Sequence, residues 1–174
     1  MSQNRSDSHR SKALCTCALL GAVAIVMGYI EYLFPLPIPL PGVKLGLSNL
    51  ATLIALYSVG RRGAFCTLML RICVCGLLFA NAVAFCYSLC GGLVSFAAML
   101  FAKRYLRVSV VSVSLLGGVF HNMTQLAVAV LIFRNLYLGY YLPLLMIAGV
   151  VTGVIIGLIA LLVIRFLKQN SNAS

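Results

Sequence analysis

Six apolar runs, separated by short polar or charged breaks, occupy most of the 174 residues. They cover about Ala13 to Phe34, Leu45 to Val59, Gly63 to Ala80, Ala82 to Ala102, Val108 to Phe133 and Leu142 to Ile164. A helix needs roughly 17–25 residues to cross a bilayer, and all but the shorter second run reach or approach that length. The runs are apolar nearly all round, without the 3.6-residue stripe of a helix on a soluble core. The pattern predicts an all-α membrane protein with six transmembrane helices in one bundle. That domain spans residues 13–165, between a polar tail at 1–12 and a short tail at 166–174. Six crossings put both termini on the same side.

Composition supports this reading. Only 9% of the residues are charged, against about 25% in soluble domains, and the mean hydropathy is +1.09. Placing both termini and the loops after the second and fourth runs in the cytoplasm puts ten basic residues inside. Lys44 and Arg134 are left outside and Arg71 within the membrane. This positive-inside bias makes both termini cytoplasmic and predicts a multi-pass protein of the cytoplasmic membrane.

The acidic side chains are Asp7 and Glu31 alone. A pair of membrane carboxylates for acid–base chemistry and an acidic magnesium cage are therefore excluded. No G-x-x-x-x-G-K-[ST] sequence exists to cradle ATP phosphates, so any energy input comes from a partner. The net charge of +11 is spread over loop ends with no soluble module to present it to nucleic acid.

A rise of 1.5 Å per residue allows the polar side chains to be counted in depth. Glu31 falls about 27 Å from the inner start of its helix, His121 about 21 Å, Gln125 about 27 Å, and Asn49 about 6 Å below the outer start of helix 2. With Lys44, Asn122, Tyr140 and Tyr141 near the same level, they predict an outward-facing binding cavity, since polar groups in hydrocarbon turn to the bundle interior or to water. His121 and Gln125 share a helix face and Asn122 flanks it; the same residue types also serve as interhelical hydrogen-bond donors and acceptors. One membrane histidine supplies too few ligands for zinc. Arg71 lies about 13 Å into helix 3, about half a bilayer in depth from the carboxylate of Glu31. Backbone carbonyls, Ser or Asn groups, or an anionic ligand are its other possible partners.

The segment Pro35-Leu36-Pro37-Ile38-Pro39-Leu40-Pro41-Gly42 favours a stiff polyproline II strand able to cross the bundle mouth. Lys44 follows it at a helix start, where backbone amides favour an anion. Gly91-Gly92 and Gly117-Gly118 fall at similar depth in opposite-running helices and predict a close crossing. Ala18 and Ala22 form a small-residue face at the cytoplasmic end of helix 1, open to a neighbouring helix or a partner protein. The seven cysteines show no metal or disulfide framework and read as small apolar filler.

Several motifs together carry a resemblance. Pro41-Gly42-Val43-Lys44-Leu45-Gly46-Leu47-Ser48-Asn49, the Gly-Gly stretch within Ser88 to Ser95, Gly117-Gly118-x-x-His121-Asn122-x-x-Gln125 and Tyr140-Tyr141-Leu142-Pro143 resemble the bacterial family called Gx transporter or heptaprenyl diphosphate synthase component I. That family is similar to the substrate-binding S components of energy-coupling factor transporters. The resemblance covers about residues 13 to 165 and implies a substrate site near the outer face, covered by the loop between helices 1 and 2. It also implies a coupling transmembrane protein and two ATPases as partners. The expected site residues are Lys44, Asn49, His121, Asn122 and Gln125, with Arg71 a further candidate and a small, anionic substrate the best match to their charges. The family's second name implies an alternative role, that of a non-catalytic membrane component beside a prenyl synthase, because the chain lacks the aspartate-rich clusters that hold magnesium diphosphate. No cofactor is expected.

Overall fold

The computed structural model describes residues 2–34, 46–79 and 81–172. Six α-helices account for nearly all of them: α1 (Ser2–Leu33), α2 (Asn49–Ser58), α3 (Arg61–Phe79), α4 (Ala82–Phe101), α5 (Val110–Phe133) and α6 (Leu142–Asn172). A π-helical turn, Ala102–Leu106, extends α4, and a 3₁₀ turn, Leu136–Tyr141, leads into α6. The helix ends follow local chemistry. Asn81 and Ser109 cap α4 and α5 by accepting the N–H of Ala84 and Ser112. Arg107 and Arg134 adopt left-handed backbone that stops the π turn and α5. Gly60, at φ +98°, turns the chain out of α2 and donates its N–H back to Ala55 O at 3.0 Å.

Five helices are long and apolar enough to cross a membrane. The exception is α2, with ten residues rather than the fifteen that the hydrophobic run suggests, and a length of about 15 Å. The first helix, conversely, continues through the polar tail as far as Ser2. Large apolar side chains cover the outside of the bundle, among them Leu77, Leu131, Ile147 and Leu162. So much exposed hydrocarbon suits lipid and not water.

The short helix is the central post. It packs against α1, α3, α5 and α6, and Leu53, Ile54, Ala55 and Leu56 are buried in a core completed by Leu68, Ile72, Met99, Val113 and Ile156. Glycines set the closest approaches around it. In α6, Gly149, Gly153 and Gly157 lie one turn apart, and a Cβ built on them would fall 2.7–3.0 Å from the α5 backbone at Gly118, Leu115 and Val111. Gly118 meets Gly149 O in return. One glycine of each pair sits in the expected close approach of α4 and α5, Gly91 against His121 and Gln125 of α5 and Gly117 against Met99 and Ser95 of α4, whereas Gly92 meets α3 side chains and Gly118 meets α6.

Candidate functional site

The start of α2 brings the buried polar residues together. Gly46, at φ +82°, and the turn Leu47-Ser48 precede Asn49, and with about 15 Å of helix below it this start lies near mid-depth in the bundle. An N-terminus there exposes N–H groups that water cannot reach. Glu31 of α1 fills that need. Its Oε1 accepts the Leu47 N–H at 2.6 Å and its Oε2 accepts the Ser48 hydroxyl at 3.0 Å. Ser48 Oγ in turn accepts a hydrogen bond from Arg71 Nη1 of α3. Glu31 and Arg71 are 6% and 5% exposed, so the relay joins two buried, oppositely charged side chains through one hydroxyl.

The depth count had set those two charges about half a bilayer apart. Much of the backbone offset is real: α1 and α3 run side by side with Gly28 against Cys75 and Cys17 against Gly63. In that register Arg71 sits about 10 Å below the level of Glu31. The arginine stem and Ser48, carried on the head of a helix that begins mid-bundle, close the gap.

Around this relay the other expected site residues take distinct positions. His121 Nε2 and Gln125 Nε2 are 3.0 Å apart, a hydrogen bond in which the amide donates and the ring nitrogen accepts. Gly91 of α4 makes room for both, since a Cβ there would sit 3.1 Å from the His121 ring and 3.2 Å from Gln125 Cγ. Gly92, the next residue, faces the other way, 3.4 Å from Arg71 Nη2 by the same construction. Asn49 is brought to the same place through Gly46, whose Cβ position lies 3.1 Å from Asn49 Nδ2 and 3.5 Å from the His121 ring. Asn122 belongs elsewhere: its Nδ2 donates to Leu145 O of α6 at 2.9 Å. Lys44 lies outside the described residues, as does the whole proline-rich segment Pro35 to Gly42. Ala18 and Ala22 are exposed, while Gly21 between them packs on Leu70.

Several buried polar atoms here have no hydrogen-bond partner among the described residues: Arg71 Nε and Nη2, Asn49 Oδ1, Thr52 Oγ1 and Thr67 Oγ1. Buried polar groups are ordinarily satisfied, and a guanidinium with two idle nitrogens is a ready donor pair for an anionic or carbonyl oxygen. The adjoining cavity, lined by Gly46, Asn49, Ser114, Gly117 and Gly153 among others, measures 10 Å³, room for about one water. Anything larger requires the helices around it to part.

Comparison with known families is informative at one point. The sequence model for heptaprenyl diphosphate synthase component I matches residues 20–163. The chain belongs to that family. No curated protein and no solved structure matches it. The matched stretch contains the relay of Glu31, Ser48 and Arg71 and the His121 and Gln125 pair beside it. Sequence reasoning missed Ser48 as the link between the charges, and took Gly91-Gly92 as packing alone. The usable signal for Ser48 was its position beside Asn49 at a helix start, where a hydroxyl can meet a carboxylate from another helix.

Proposed function

We propose that this chain is the substrate-binding membrane subunit of a small-molecule uptake system, resembling the S components of energy-coupling factor transporters. Arg71 carries the reading. It is a buried cation with two idle nitrogens, bonded to Ser48 next to Asn49 at the head of a half-length helix, and Thr52 of α2 and Thr67 of α3 carry further buried hydroxyls without a partner among the described residues. Helix ends and polar side chains near the bilayer midplane are where membrane transporters hold their substrates. Asn49, His121, Gln125 and Arg71 form the site on this account, with Lys44 supplying a flanking contact and an anionic group meeting Arg71, while Asn122 holds α6 through Leu145 O. On this account capture takes place in a conformation in which α2 moves away from α5 and α6, which with it line most of the closed cavity. ATP is hydrolysed by two partner ATPases acting through a coupling transmembrane protein, because this chain has no phosphate-binding loop. Both termini lie in the cytoplasm of a bacterial inner membrane, and Ala18 and Ala22 offer the partner a small-residue face.

The family description favours a second reading, a non-catalytic membrane component of heptaprenyl diphosphate synthase. Catalysis by this chain is unsupported in either case: it holds one aspartate, and its one glutamate caps α2. Native mass spectrometry on the chain purified in mild detergent tests the site. A small molecule retained by the parent and lost in Arg71→Gln supports capture at Arg71; the same mass retained by both proteins overturns it. Retention of a polyprenyl chain in place of a polar metabolite favours the synthase reading.

A further inference from the structure

A wider opening than the cavity at Asn49 lies at the other end of α2. A cleft of 440 Å³ is lined by Gly60 and Arg61 at the α2–α3 turn and by Leu100, Lys103 and Arg104 at the end of α4. Three of these five residues are cations. The sequence has two acidic side chains, and one of them, Glu31, is bound to the opposite end of α2. The cleft therefore cannot be neutralised from within the chain by more than a single acidic side chain.

Its cations are also organised. Lys103 Nζ donates to Leu56 O at 2.7 Å, holding the last turn of α2, and lies 4.1 Å from the centre of the Tyr57 ring. The π-helical turn Ala102–Leu106 widens the backbone at this point, a feature frequent at functional sites. It presents Lys103 and Arg104 to the same cleft. Arg61 and Arg104 are exposed, and their planar, fully charged forks match phosphate oxygens. Basic pockets between transmembrane helices near the bilayer surface bind phosphate-bearing headgroups by this chemistry.

We propose that this cleft is a binding site for a phosphate-bearing anion, either the headgroup of an anionic lipid or a soluble diphosphate. It is separate from the Arg71 cluster and stands whether or not that cluster binds substrate. The test compares the parent with Arg61→Gln/Arg104→Gln, which leaves Lys103 in place on α2. Arg134→Gln/Arg165→Gln, which removes two cations outside the cleft lining, serves as the control for bulk charge. Each protein is titrated with inorganic diphosphate by calorimetry, and is incubated with equal amounts of phosphatidylglycerol and phosphatidylcholine before native mass spectrometry. A soluble-phosphate site gives diphosphate binding that weakens by about tenfold or more in the cleft variant and not in the control. A headgroup site gives selective retention of phosphatidylglycerol that is lost in the cleft variant alone. Failure of the parent to bind either anion, or equal losses in both variants, overturns the proposal.

Discussion

The relay from Glu31 through Ser48 to Arg71 makes a quantitative claim about how a half-length helix is held inside the bundle. Replacing Glu31 by Ala removes the acceptor of the Leu47 N–H at 2.6 Å and of the Ser48 hydroxyl at 3.0 Å. An unpaired buried amide costs about 1–3 kcal/mol, and breaking a buried charge pair about 3–5 kcal/mol because the surviving ion stays uncompensated. With Arg71 only 5% exposed, the lower end of the charge contribution alone, about 3 kcal/mol, is a conservative loss. Taken at the usual 2–4 °C per kcal/mol for a chain of this size, the melting temperature falls by about 6–12 °C. Glu31→Gln retains an oxygen for Leu47 and loses only the charge, so its loss is smaller. Arg71→Met alone strands Glu31 and is also destabilising. Glu31→Gln/Arg71→Met removes both charges, and its loss falls short of the two single losses together by about 1–3 kcal/mol. Residual folded protein after heating, read by fluorescence-detected size exclusion in detergent, gives all four values. Strict additivity of the two single substitutions would refute the relay.

The remaining predictions concern packing and binding. Gly118→Ala puts a Cβ 2.6 Å from Gly149 O, and because the obstacle is backbone the helices must separate, at a cost of about 1–3 kcal/mol. Gly139→Ala, with nothing within 4 Å of its Cβ position, leaves the melting temperature unchanged in the same measurement. Gly46→Ala combines φ +82° with a contact at 3.1 Å from Asn49 Nδ2 and is expected to cost about 1–2 kcal/mol, the penalty of left-handed backbone at a residue with a Cβ. His121→Ala and Gln125→Ala remove the 3.0 Å bond between α5 side chains that face Gly91. Each is expected to abolish retention of the bound small molecule with folded yield intact, checked by native mass spectrometry beside size exclusion. Unchanged retention in both removes these residues from the site.

Much of the architecture was legible in the chain because hydropathy reports helices that face lipid. All six runs became helices, and the runs Gly63 to Ala80, Ala82 to Ala102 and Val108 to Phe133 match α3, α4 and α5 within about two residues at each end, whereas α1 starts well before Ala13 and α6 continues past Ile164. Hydropathy failed where helix formation and hydrophobicity part company. The polar residues before Ala13 are helical without being apolar, and Leu45 to Val59 is apolar although its helix begins only at Asn49. That late start matters for the site. Depth counted from loop ends placed Asn49 near the outer surface, whereas a ten-residue α2 puts it at mid-depth, where Ser48 can link Glu31 to Arg71. Counting along single helices also says nothing about azimuth, so Asn122 was grouped with His121 although its amide turns to Leu145 on α6. The seam at Gly149, Gly153 and Gly157 was readable as small residues spaced by four, the pattern that lets membrane helices approach.

The most direct test of substrate capture is a mild-detergent purification of the tagged chain from its native membrane, with proteomics on the partners and native mass spectrometry on the small molecules that remain bound. The account expects two ATPases and a coupling membrane protein to co-purify, together with a metabolite that disappears in Arg71→Gln. Recovery of a soluble prenyl diphosphate synthase, with no ATPases and no polar metabolite, would contradict it and make the chain a membrane partner of isoprenoid synthesis.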